Sequence, residues 1–89
     1  MSEMNPVTAG TRVGIEFLTV WLEGDKQFAT EHIHRVLKDS DGPRADGAIV
    51  GLLNLSMLLA LELAKAHGAD DVQEWARKYL SNLSAQLPE

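Results

Sequence analysis

Residues 47–68, GAIVGLLNLSMLLALELAKAHG, decide how this chain of 89 residues has to fold. On a helical projection of about 100° per residue, the polar side chains Asn54, Glu62 and Lys65 share one sector with Gly47, Gly51 and Leu58. Everything else around the cylinder is apolar or small. A core-facing helix normally carries an apolar stripe a little over ~100° wide, and one that is apolar nearly all round has to be buried nearly all round. This segment is therefore expected to be the most buried helix, with only a narrow strip facing water. The uncharged run stops at Glu62 and already holds Asn54 and Ser56, short of the roughly 20 mainly apolar residues that cross a bilayer. No membrane association is expected.

Working outward, the breaks come from glycine, proline and aspartate. Pro6, Pro43 and Pro88 lie outside the periodic segments, where a ring that clashes with a helix interior is tolerated. Gly24-Asp25, DSDGPRAD (39–46) and Gly68-Ala69-Asp70 each place a residue suited to ending one helix beside one suited to capping the next. The fold class that follows is all-α, a compact bundle of four helices at about 8–23, 26–39, 45–67 and 70–86. Residues 1–7 are expected to be a disordered tail and 8–87 a single domain.

The first helix is ambiguous, because TRVGIEFLTVW (11–21) is rich in β-branched and aromatic residues that favour strands. Periodicity decides for the helix. Arg12, Glu16, Thr19 and Glu23 recur as one helical seam, whereas on a strand Glu16 and Glu23 would point to opposite faces. The second helix opens on Asp25 and is amphipathic, with Phe28, Ala29, Ile33, Val36 and Leu37 on one side and Gln27, Glu31, His34, Arg35 and Lys38 on the other. In the fourth, Asp70 and Gln73 have capping-box spacing, ahead of an apolar stripe through Val72, Trp75, Ala76, Tyr79, Leu80, Leu83 and Leu87.

These faces do not balance. The first and third helices want cover over most of their circumference, while the second and fourth offer one apolar face each. A chain this short has a thin core and usually needs disulfides, a metal or association to be stable. It has no cysteine, which leaves association. A homodimer about a two-fold axis is the expected solution. Candidate interface positions are Gly47, Gly51, Leu55 and Leu58 on the third helix and Val13 and Phe17 on the first. Gly10/Gly14 and Gly47/Gly51 are both spaced i, i+4, which would let another backbone come close.

Candidate chemistry is sparse. Glu31-x-x-His34 has the spacing used by metal-carboxylate bundles, but both residues fall on the polar side of their helix beside Arg35 and Lys38. Trp21, Phe28, Trp75 and Tyr79 are candidates to wall a pocket for a small apolar ligand between helices. His32 reads as a hydrogen-bonded border residue, His67 as a partner for the negative end of a helix dipole, and Glu62 as the surface partner of Lys65. There is no phosphate-cradling glycine loop, nucleophile elbow, HExxH pair or EF-hand loop. No cofactor and no catalytic residue is therefore expected.

A net charge of −5 repels the phosphate backbone that supplies most non-specific nucleic-acid affinity, so nucleic acid is not an expected partner. MSEMNPVTAG has neither a basic nor an apolar leader region, and with no cysteine the expected location is the cytoplasm. The sequence thus points to a small non-enzymatic homodimer acting by protein–protein contact, its protein partner unknown. A carrier or sensor of a small apolar ligand is the alternative, and a metal-dependent enzyme using Glu31 and His34 a more remote one.

Overall fold

A computed structural model describes residues 6–88, with side chains from Val7 onward. Among these residues there are four helices and no strand: α1 (Pro6–Leu22), α2 (Lys26–Lys38), α3 (Ala45–Ala66) and α4 (Val72–Gln86). Residues 1–5 of the expected tail lie outside the described residues, and the remaining two, Pro6 and Val7, already belong to α1. Proline suits a first helical position because the N–H it lacks has no intrahelical acceptor there.

The strand-forming residues of α1 are accommodated by local bonds. The hydroxyls of Thr11 and Thr19 donate to the carbonyls of Val7 and Ile15, one turn back, at 2.6 and 2.7 Å. The helix ends at Gly24, whose φ of 100° is open to glycine at little steric cost. Lys26 Nζ donates to the Trp21 carbonyl at 2.6 Å and sits 4.3 Å from the centre of the Trp21 ring. A cation at the carbonyl end of a helix also favours its dipole. Asp25 then caps α2, its carboxylate accepting from Phe28 N–H at 2.9 Å.

At the other end of the chain, α3 closes on Gly68, with φ of 72°. Gly68 N–H donates to Lys65 O and Ala69 N–H reaches back to Ala64 O, the double bond pattern of a glycine-terminated helix. The cap of α4 is Asp71, not Asp70. Its side chain accepts from Glu74 N–H at 3.1 Å, so the capping-box spacing runs from Asp71 to Glu74, one residue later than the sequence reading.

The chain divides into two units, Met1–Leu55 and Ser56–Glu89, with α3 contributing its first half to one and its second half to the other. In the first unit α1 lies against both α2 and α3. Glu16 of α1 and His32 of α2 meet at 2.8 Å, and Ala29 of α2 is fully buried. Against α3 the contact is backbone to backbone. A Cβ on Gly51 would overlap the Gly10 carbonyl, and one on Gly10 would stand 2.5 Å from the Gly47 oxygen. A Cβ on Gly14 would be 3.3 Å from the Leu52 side chain. In the second unit α3 packs with α4. There Ala64 is fully buried and Ala76 nearly so, and Trp75 lies between the rings of His67 and Tyr79, at 5.0 and 5.2 Å.

Among the described residues, the buried apolar side chains are Phe17 and four alanines, Ala29, Ala48, Ala64 and Ala76. Close approach through small residues leaves the large ones outside. Within its own chain α3 leaves Ile49, Leu53, Met57 and Leu59 about half or more exposed, so its apolar circumference is covered only where α1 and α4 lie.

Gly51→Ala is expected to lower the stability of the folded chain by at least ~1–3 kcal/mol, because the new methyl group meets backbone that cannot yield. Gly47→Ala, where nothing lies within 4 Å of the added carbon, is expected to gain up to ~1 kcal/mol from helix propensity. Urea denaturation of the two variants, followed by circular dichroism, checks both signs.

Candidate functional site

The strip of α3 expected to face water is in its first half the seat of α1. Gly51 is buried and Asn54 half-buried, and the Asn54 amide donates to Thr11 Oγ1 at 2.9 Å. Thr11 in turn donates to the Val7 carbonyl, so one hydroxyl both accepts and donates at the crossing, as its lone pairs and single proton allow. Gly10 and Gly51 are thus used on each other within the chain, and Gly14 seats Leu52.

Of the candidate interface positions, Gly51 and Phe17, the latter 4% exposed, are buried within their own chain. Val13 and Leu55 are half-buried, while Gly47 and Leu58 are exposed. In the second unit the open apolar surface includes Met57, Leu58 and Leu59 on α3, Tyr79, Leu80 and Leu83 on α4, and Leu87, the C-cap of α4. Leu80, Leu83 and Leu87 continue from Ala76 with spacings of four, three and four, the register of a helix-pairing seam.

Of the four aromatic candidates, two fall in each unit. Trp21 lines a cleft of about 300 Å³ in the first unit, together with Phe17 and Leu18 of α1, Ile33 and Leu37 of α2, and Ala45, Ala48, Ile49 and Leu52 of α3. Phe28 belongs to the same unit but is not among the lining residues and is half exposed. Trp75 and Tyr79 belong to the second unit, in the stack with His67. The cleft draws three residues from α1, two from α2 and four from α3, which only packing assembles.

Glu31 and His34 are exposed on α2, in a shallow depression shared with Thr30, Arg35 and Lys38. Glu31 accepts a long hydrogen bond from Gln27, at 3.5 Å. No group of three or more histidine, cysteine, aspartate or glutamate side chains is placed to hold a metal ion among the described residues. His32 has the carboxylate partner expected of a border histidine. His67 Nδ1 lies 2.9 Å from the Leu63 carbonyl, at the C-terminal end of α3, and Glu62 meets Lys65 at 3.4 Å on the surface. Exposed pairs of that kind contribute little stability.

By length and composition α3, with 22 residues, is the one helix among those described that is long and apolar enough to cross a membrane. No family model, no curated protein and no solved structure matches this chain.

The Asn54–Thr11 contact makes an asymmetric prediction. Thr11→Val strands a half-buried amide and is expected to cost ~1–2 kcal/mol, whereas Asn54→Leu leaves Thr11 still bonded to Val7 and is expected to cost under ~1 kcal/mol. The double variant should cost less than the two singly combined, as read from urea unfolding midpoints.

Proposed function

We propose that this protein is a small, non-enzymatic, all-α homodimer of the cytoplasm that acts as a protein–protein interaction module, with regulatory, adaptor or assembly roles open to it. One observation supports this reading above the others. Among the described residues fifteen large apolar side chains are exposed, while Phe17 is the one large apolar side chain that is buried, and exposed apolar surface in excess marks interaction sites.

The surface best suited to a second copy is the leucine row of α4, at Leu80, Leu83 and Leu87, with Leu58 of α3 as a further exposed apolar position in the same unit. A row with spacings of four and three can be met by an identical row, which satisfies the self-complementarity that a two-fold interface requires. Glu62 and Lys65, both exposed and paired, suit a helix edge in water better than a bilayer, where each charge is costly. That supports pairing in solution over a membrane span for α3.

Light scattering over a wide dilution series tests the proposal. The expected mass is twice 9.8 kDa at working concentration, falling toward the monomer on dilution. Leu83→Glu and Leu58→Glu should each weaken association at least about tenfold, since a carboxylate is forced into an apolar contact. A monomer of 9.8 kDa at every concentration, unchanged by either substitution, overturns the reading, as does recovery of the protein only in the membrane fraction.

A further inference from the structure

The cleft in the first unit differs in kind from the leucine row on α4. The row is convex and suits another helix. The cleft is concave, and at about 300 Å³ it reaches the lower end of the ~300–1,000 Å³ range that small ligands occupy. Its floor is well packed: Phe17 and Ala48 are 4% and 2% exposed. At its rim Trp21 and Ile49 remain 42% and 57% exposed, large apolar surfaces that an occupant would take from water.

The cleft's chemistry selects the class of occupant. The lining side chains are all hydrocarbon or aromatic, so the Trp21 indole N–H is the single side-chain hydrogen-bonding group among them. No charged side chain is among the lining residues, so an anionic head group seated in the cleft would be buried without a partner, which is costly.

We propose that this cleft binds one small, neutral, hydrocarbon-like molecule. A dry cavity of ~150 Å³ takes a benzene, so this one corresponds to about a two-ring aromatic or a ten-carbon chain. The inference goes beyond self-association through α4 and stands whether or not that association occurs.

The test is a fluorescence titration of the intact protein with N-phenyl-1-naphthylamine, an uncharged probe that brightens in apolar surroundings. Light scattering on the same samples follows the oligomeric state separately. Saturation at one probe per chain is expected, with displacement by decan-1-ol and at least about tenfold weaker displacement by decanoate at neutral pH, because the carboxylate resists burial. Ala45→Leu, at an exposed lining position, and Leu37→Trp both fill the space and should each lower probe affinity at least about tenfold, with helicity retained. Leu83→Ser on α4 should leave binding unchanged.

Four results would overturn the proposal: no saturable uptake, decanoate displacing the probe as well as decan-1-ol, binding that survives both filled variants, or binding lost in Leu83→Ser. So would probe affinity that falls as the dimer mass appears, since a second copy then covers the cleft. If a filled variant does not fold, the alcohol-to-carboxylate comparison on the unaltered chain still decides.

Discussion

Where α1 crosses α3, neither helix has a side chain. The Gly10 carbonyl occupies the place a Gly51 Cβ would take, and the Gly47 oxygen stands where a Gly10 Cβ would point. The rest of the first unit follows from that approach. It lets the Asn54 amide reach Thr11 and brings Leu52 against Gly14. Among the described residues Phe17 is the single large apolar side chain that is buried.

That geometry explains why so apolar a chain has so slight a core. Burial of large side chains is the main favourable contribution to folding, at about 25 cal/mol per Å² removed from water. Here the buried positions are filled mostly by alanine and glycine, which bring little such area. Two of the apolar surfaces left exposed are a leucine row along α4 and a concave cleft among α1, α2 and α3. The first suits a partner of matching shape and the second a molecule that fits inside, and a single chain can offer both because they lie on different elements.

The helices themselves were legible from the residues. Gly24 and Gly68 both take the positive φ expected of a helix-ending glycine, Asp25 caps as its position suggested, and the observed helix boundaries stay within about two residues of those expected, the usual uncertainty of element ends. Asp71 in place of Asp70 is the informative slip. Both aspartates can cap, and the choice falls on the one whose third neighbour, Glu74, enters the helix in register. The candidate site was less legible. Glycine pairs at i, i+4 announce that a backbone will come close, yet they do not say whether it belongs to the same chain or another.

By itself the sequence determined where the helices begin and end, and that their apolar surface exceeds what two amphipathic faces can cover, because both follow from local bonding and from periodicity. Tertiary structure alone decided that the first half of the polar strip of α3 meets α1 instead of water, that Gly51 and Phe17 are used within the chain, that Trp21 joins a cleft and that Trp75 and Tyr79 stack on one another. The physical reason is that a projection of one helix shows which residues share a face but carries no information about the neighbour. Asn54 looks like a residue seeking water until Thr11, 43 positions away in sequence, supplies the hydroxyl that takes water's place.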